Sequence, residues 1–224
     1  EKPGPGRFRE FVQCDADTVG SDRPVADAEI IAMACEGLQA AGLSPDQAVI
    51  RVSNRKLFDG LFEAGGVTDA GQKLTALRAI DKFDRLGWEG VAALLGEGRL
   101  DDSGDYTKGA QLPVKVIAAI EGFLASAGDP EATRSQTLEA VARSGNIGAA
   151  GEAALGELAA IDAALGAMKV SEDAVRFDPT IVRGLEYYTG AVFEAELLLE
   201  TMDEKGRAVR FGSIGGGGRY DDLV

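Results

Sequence analysis

Arg183-Gly184-Leu185-Glu186-Tyr187-Tyr188-Thr189-Gly190 decides how the rest of this chain is read. The run sets a fixed cation and two adjacent phenols at the entry to an apolar segment, and such groups are costly to keep as packing alone. A guanidinium carries a permanent charge and a rigid fork of donors matched to carboxylate or phosphate. A tyrosine joins a flat apolar face to one polar tip, which suits reading a small ring. Taken by itself, the stretch reads equally well as a strand start with a surface arginine and two half-buried tyrosines.

Two other stretches lend it weight. Arg7-Phe8-Arg9-Glu10-Phe11-Val12-Gln13-Cys14-Asp15-Ala16-Asp17 lies far upstream, and Gly215-Gly216-Gly217-Gly218-Arg219-Tyr220-Asp221 lies just downstream. Together the three resemble the active-site strands of histidyl-tRNA synthetases, a family of class II aminoacyl-tRNA synthetases. The Arg-Gly-Leu-Glu-Tyr-Tyr run is similar to that family's histidine signature. The first stretch resembles the second half of class II motif 2, and order and spacing fit along the whole chain.

With 224 residues the chain can bury a proper core in one large or two small domains. It opens at Glu1 and stops at Val224 after a glycine run, so it is expected to be a piece of a longer protein. No apolar run approaches the roughly 18 residues of a membrane span, and no signal-peptide pattern is present. Two cysteines, Cys14 and Cys35, and no histidine argue against a zinc site or a disulfide scaffold. A reducing, cytoplasmic setting is expected. The net charge of −14 is spread so that each third of the chain is acidic, which argues against a broad phosphate-binding surface.

Along the chain, residues 7–17 alternate with a period of two. Arg7, Arg9, Phe11, Gln13, Asp15 and Asp17 fall on one strand face, and Phe8, Val12, Cys14 and Ala16 on the other. A helix is expected over 25–41, with Pro24 in its first turn, then a strand over 48–52 and a helix begun by Ser53-Asn54 and stopped by Gly65-Gly66. From 67 to 168 strand signals vanish and helices are expected over 69–86, 89–95, 113–126, 130–143 and 148–167, with a loop over 96–111. Leu155, Leu158, Ile161, Leu165 and Met168 form a core stripe on the last of these. Strand signals return over 174–177, 187–199 and 207–214, with Asp203–Gly206 as a hairpin turn. The pattern is α+β, with 1–66 and 169–224 as two parts of one domain and 67–168 as an all-helical insertion. The resemblance implies a class II antiparallel sheet with flanking helices, interrupted by such an insertion.

Arg7, Gln13 and Asp17 offer a cation, a neutral donor–acceptor and an anion, the set that a free amino acid and ATP require. The bland alternative is an ordinary exposed strand face. The resemblance implies that Gln13 and Asp17 hold the α-amino group of L-histidine, with Asp17 standing where many relatives have glutamate, and that Arg7 lies near the ATP phosphates. It implies that Arg183 is the catalytic residue, contacting the α-phosphate of ATP and the histidine carboxylate. Tyr187 and Tyr188 are implied to line the imidazole pocket, which needs a backbone bend between Gly184 and Gly190 if both are to face it. Gly215, Gly216, Gly217 and Gly218 lack the ending of a P-loop and the spacing of a dinucleotide fingerprint. Bare backbone permits close approach, or marks a flexible turn. The resemblance makes the run a strand beneath the adenylate.

No metal ligands are assigned. The acids at 101, 102 and 105 lack the remaining ligands of a calcium loop, and Mg²⁺ is expected only on the ATP phosphates. Trp88, Met33 and both cysteines are expected to pack. The function implied is histidine–tRNA ligation, with ATP, L-histidine and tRNA(His) as substrates and a homodimeric parent. Segments that such enzymes use for dimerisation and for gripping ATP are absent from the stretch, so the piece alone is expected to be inactive. The alternative is the synthetase-like regulatory subunit of ATP phosphoribosyltransferase, which binds histidine without charging tRNA.

Overall fold

A computed structural model describes residues 8–101, 104–126, 129, 131–182, 187–199, 201–202, 206, 208–209 and 211–222. In chain order the elements are α1 (Pro24–Ala40), β1 (Ala48–Asn54), α2 (Lys56–Gly65), α3 (Ala70–Ile80), α4 (Phe83–Leu95), β2 (Gly98–Leu100) and β3 (Tyr106–Lys108). They continue with α5 (Val114–Ser126), α6 (Arg134–Arg143), α7 (Gly148–Ala167), β4 (Val175–Phe177), β5 (Ala191–Leu197), β6 (Thr201–Met202), β7 (Ala208–Val209) and β8 (Ser213–Gly218).

β1 is the pivot because its residues suit both faces. The main sheet runs β4-β1-β5-β8, with β4 parallel to β1 and the other two pairings antiparallel. Ile50 and Val52 turn to one face and enter the helix-covered core. Arg51 turns to the other, where it bonds Glu196 at 2.6 Å and Asp178 at 3.2 Å. β8 lies at the edge, and its register against β5 steps between Ala195 and Glu196, which leaves Ile214 as an extra residue.

The core lies between the sheet and helices α1, α2 and α7, and continues through α3, α4 and α5. Phe58 of α2 meets Phe123 of α5 edge-on, ring centres 5.2 Å apart. α7 buries Leu158, Ile161 and Leu165 from the expected stripe, while Leu155 packs at its margin and Met168 stays partly exposed. α2 and α7 cross closely at Gly60, where a Cβ would run into the Ile147 carbonyl oxygen and the Gly151 backbone.

Caps explain several helix starts. Asp69 accepts from Gln72 N at 2.7 Å, and Thr133 and Gln136 form a capping box, whereas the N-cap of α2 is Arg55 and not Ser53-Asn54, with Asn54 Oδ1 accepting from Lys56 N at 3.0 Å just ahead of it. The helix expected over 69–86 is divided at Asp81-Lys82, and α4 kinks at Gly87, whose combination of φ 63° and ψ 179° favours glycine. No helix among the described residues is long and apolar enough to cross a membrane.

Four further expectations are corrected. The strand expected over 7–17, with Gln13 and Asp17 on one face, does not form over 8–17, because no described residue pairs with it in a ladder, and a period of two stabilises nothing without a partner. The segment's apolar members stay in solvent, Val12 at 94% exposure. The loop expected over 96–111 contains the short antiparallel pair β2–β3. Strand β5 starts at Ala191, not at 187, since Tyr187 stands in a turn. Met33 and Cys14 are exposed, whereas Cys35 is buried and Trp88 packs against the core.

Candidate active site

The glycine run becomes β8, and its end is where distant parts of the sequence meet. Beyond the last ladder pair, Arg219 N donates to Ala191 O at 2.8 Å and Arg219 O accepts from Thr189 N at 2.8 Å. The two segments therefore stay together through 189–191 and 219–221. Thr189 Oγ1 donates to Asp221 Oδ2 at 2.6 Å and accepts from Asp221 N at 3.1 Å, which closes the corner.

Bare backbone has a visible use at two of the four glycines. A Cβ on Gly218 would stand 2.8 Å from Tyr188 Cγ, and one on Gly217 would stand 2.6 Å from Phe193 Cζ. Both rings lie directly on the strand. At Gly215 the nearest atom would be Ala195 Cβ at 3.8 Å, an ordinary contact. Tyr187 and Tyr188 are brought together by the turn, with ring centres 4.3 Å apart and planes at 57°.

Asp17 reaches the same corner from the other end of the chain. Tyr220 Oη donates to Asp17 Oδ1 at 2.5 Å across 203 residues of sequence. The carboxylate raises the phenol above its ordinary pKa, chiefly by accepting that hydrogen bond. Gln13 lies in the exposed segment before α1, where its Nε2 donates to Asp15 Oδ1 at 2.9 Å. Arg7 and Arg183 lie outside the described residues.

A charge cluster supports this corner. Arg219 Nη2 lies 2.7 Å from Asp27 Oδ2, in the first turn of α1, and Nη1 lies 3.5 Å from Asp221. Burial raises the Asp27 carboxyl, the Arg219 guanidinium opposes this, and Glu157 and Asp221 add to the rise. Glu157 itself accepts from Asn54 Nδ2 at 2.7 Å and Lys56 Nζ at 2.5 Å. Among the described residues no group of three or more His, Cys, Asp or Glu is placed to hold a metal ion.

Tyr220, Thr189, Asp221 and Asp27 carried no role from sequence. The Arg-Tyr-Asp triplet directly after a strand was a usable local signal for Tyr220 and Asp221, and Thr189 lies in the quoted run at 183–190. Asp27 had none, since an acid in the first turn of a helix reads simply as a partner of the helix dipole.

A family model described as histidyl-tRNA synthetase matches residues 1–224. A histidine–tRNA ligase of Caulobacter vibrioides is 62% identical over 224 residues, covering 100% of this chain and 45% of the relative. That of Methylocella silvestris is 51% identical over 227 residues, covering 100% and 44%. The chain thus spans less than half the length of these relatives. Among solved structures, a histidyl-tRNA synthetase from Nostoc sp. PCC 7120 matches with a TM-score of 0.67 at 22% identity, over 91% of this chain and 42% of that one. A protein described as an ATP phosphoribosyltransferase regulatory subunit/histidyl-tRNA synthetase, from Bacillus halodurans C, matches with a TM-score of 0.66 at 21% identity, over 91% and 45%. These likenesses show a shared class II fold.

Proposed function

The chain belongs to the histidyl-tRNA synthetase family, and on that footing we propose that it supplies the histidine-reading part of an enzyme that activates L-histidine with ATP and passes it to tRNA(His). The observation that carries the reading is the contact of Tyr220 with Asp17, two residues past Gly218, on which the Tyr188 ring lies. One carboxylate and two phenols are tied to the glycine end of β8. An α-ammonium needs the first, and a small polar ring needs the others.

In activation, a carboxylate oxygen of histidine bonds to the α-phosphorus of ATP, the bond to the bridging oxygen breaks, and pyrophosphate leaves with its charge. No proton is exchanged, so the absence of histidine from the chain is no obstacle. Asp17 and Gln13 are assigned to the α-amino group, and Tyr187 and Tyr188 to the imidazole. Arg7 is assigned to the phosphates, and Arg183 to the α-phosphate and the histidine carboxylate. A preorganised guanidinium counters the charge that develops at phosphorus. Gly215, Gly216, Gly217 and Gly218 offer backbone on which the adenylate lies, and the exposure of Gly215 and Gly216 supports this. Mg²⁺ enters on the ATP phosphates as part of that substrate.

A homodimeric, cytoplasmic enzyme belongs to the same proposal. So does the division into 1–66 and 169–224 as one catalytic unit with 67–168 inserted. The ladder between β1 and β5 supports joining the two outer parts.

Histidine-dependent exchange of labelled pyrophosphate into ATP by the full-length protein tests the reading. Exchange is expected, and Arg183→Ala should slow it about 100-fold or more with unchanged circular dichroism. Near-normal exchange in that variant removes the role given to Arg183. Histidine binding without exchange in the wild type would point to a non-charging histidine sensor.

A further inference from the structure

Asp27 lies outside every stretch assigned to substrate. Its carboxylate nevertheless accepts from Arg219 at 2.7 Å, with both side chains largely buried. As a stabiliser the pair is a poor choice. Burial raises the Asp27 carboxyl even beside a guanidinium, while the same contact raises Arg219 against its own burial, so desolvation and attraction act against each other in the pair. What the pair does fix is the position of Arg219.

Arg219 joins two parts of the candidate site. One chain neighbour is Gly218, which carries the Tyr188 ring, and the other is Tyr220, which donates to Asp17. Its backbone bonds Ala191 and Thr189. Its stem covers Gly190, where a Cβ would stand 2.9 Å from Arg219 Cδ. The side chain therefore clamps the link directly after Tyr187 and Tyr188, and Asp27 pins its far end.

We infer that Asp27 is a positioning residue for the amino acid: through Arg219 it holds Tyr188 and the Tyr220–Asp17 contact in one arrangement. The inference rests on the enzyme reading proposed above. It points to the amino acid, because the clamp holds Thr189, Gly190 and Ala191, directly after the tyrosines assigned to the imidazole, and adjoins Tyr220, which donates to Asp17.

In the full-length protein, Asp27→Asn should raise the histidine KM in pyrophosphate exchange about tenfold, with the ATP KM and the rate at saturating histidine within about twofold of wild type. Asp27→Glu, which keeps the anion, should recover most of the loss. Asp162→Asn serves as the control for lost stability: it should lower the unfolding midpoint and leave the histidine KM unchanged. Should Asp27→Asn fail to fold, Arg219→Lys carries the same expectation, since it keeps the cation and removes the fork. An unmoved histidine KM beside an active wild type overturns the inference alone, as does an equal rise in the Asp162→Asn control. A wild type without histidine-dependent exchange overturns the enzyme reading and this inference with it.

Discussion

Arg134 Nε lies 2.6 Å from Asp162 Oδ1, joining the first residue of α6 to the middle of α7. The arginine is only 3% exposed. Its Nη1 also donates to the carbonyls of Val175 at 3.1 Å and Ser171 at 3.3 Å, and Nη2 lies 3.5 Å from Glu172. One guanidinium therefore ties two helices to the start of β4. Arg134→Met keeps the length and removes every one of these donors. It should lower stability by about 3 kcal/mol, since two carbonyls and the Asp162 carboxylate lose this partner, and Glu172 keeps only the Arg134 backbone N–H. Urea unfolding measures this, and a loss under about 0.5 kcal/mol would show the cluster to be energetically idle.

Gly60 and Gly156 should respond oppositely to alanine. At Gly60 the new methyl meets the backbone of Ile147 and Gly151, which no rotamer change can relieve. Gly60→Ala should cost about 3 kcal/mol by forcing α2 away from α7. Gly156 is also on α7 but has nothing within 4 Å of the added carbon. There Gly156→Ala should add about 0.8 kcal/mol through helix propensity alone. Paired thermal melts read both signs, and two changes of the same sign would contradict the close crossing.

Cys14 and Cys35 should separate cleanly under a thiol reagent at pH 8. Cys14 is exposed, whereas Cys35 is buried and its thiol is pushed up to about 11 by burial. One thiol should react fast, and Cys14→Ser should abolish that phase. The same shift has a stability consequence. An acid whose pKa is raised on folding contributes stability that is whole below the unfolded value and lost as pH rises through the folded one. For Cys35 the window runs from 9.0 to about 11. Cys35→Ala should flatten the decline in unfolding free energy across that window, and an unchanged slope would remove this role.

Helices with dense apolar spacing were legible in the sequence: α7 has the expected bounds, and α1 starts and ends one residue early. The sheet strands with β-branched or apolar runs were legible as well. Residues 8–20 were not, because alternation states which side chains share a face and leaves open whether a neighbouring strand exists. β2 and β3 have three residues each, too few to carry a period. At the candidate site, Asp17 and Tyr220 drew attention separately, but a contact across 203 residues leaves no local mark. The ion pair between Asp27 and Arg219 is hidden for the same reason. Arg7 and Arg183, outside the described residues, remain assignments by family signature.

A glycine tetrad is the same object after a shift of one step. Sliding β8 along β5 changes no side chain between residues 215 and 218, so nothing inside the run distinguishes one alignment from the next. The index is kept at its ends, by the extra residue at Ile214 and by the hold of Arg219 on Ala191. Deleting a single glycine would thus act like a frame error in space. It would draw Tyr220 about 3.4 Å along the strand away from Asp17, while leaving charge and apolar content the same.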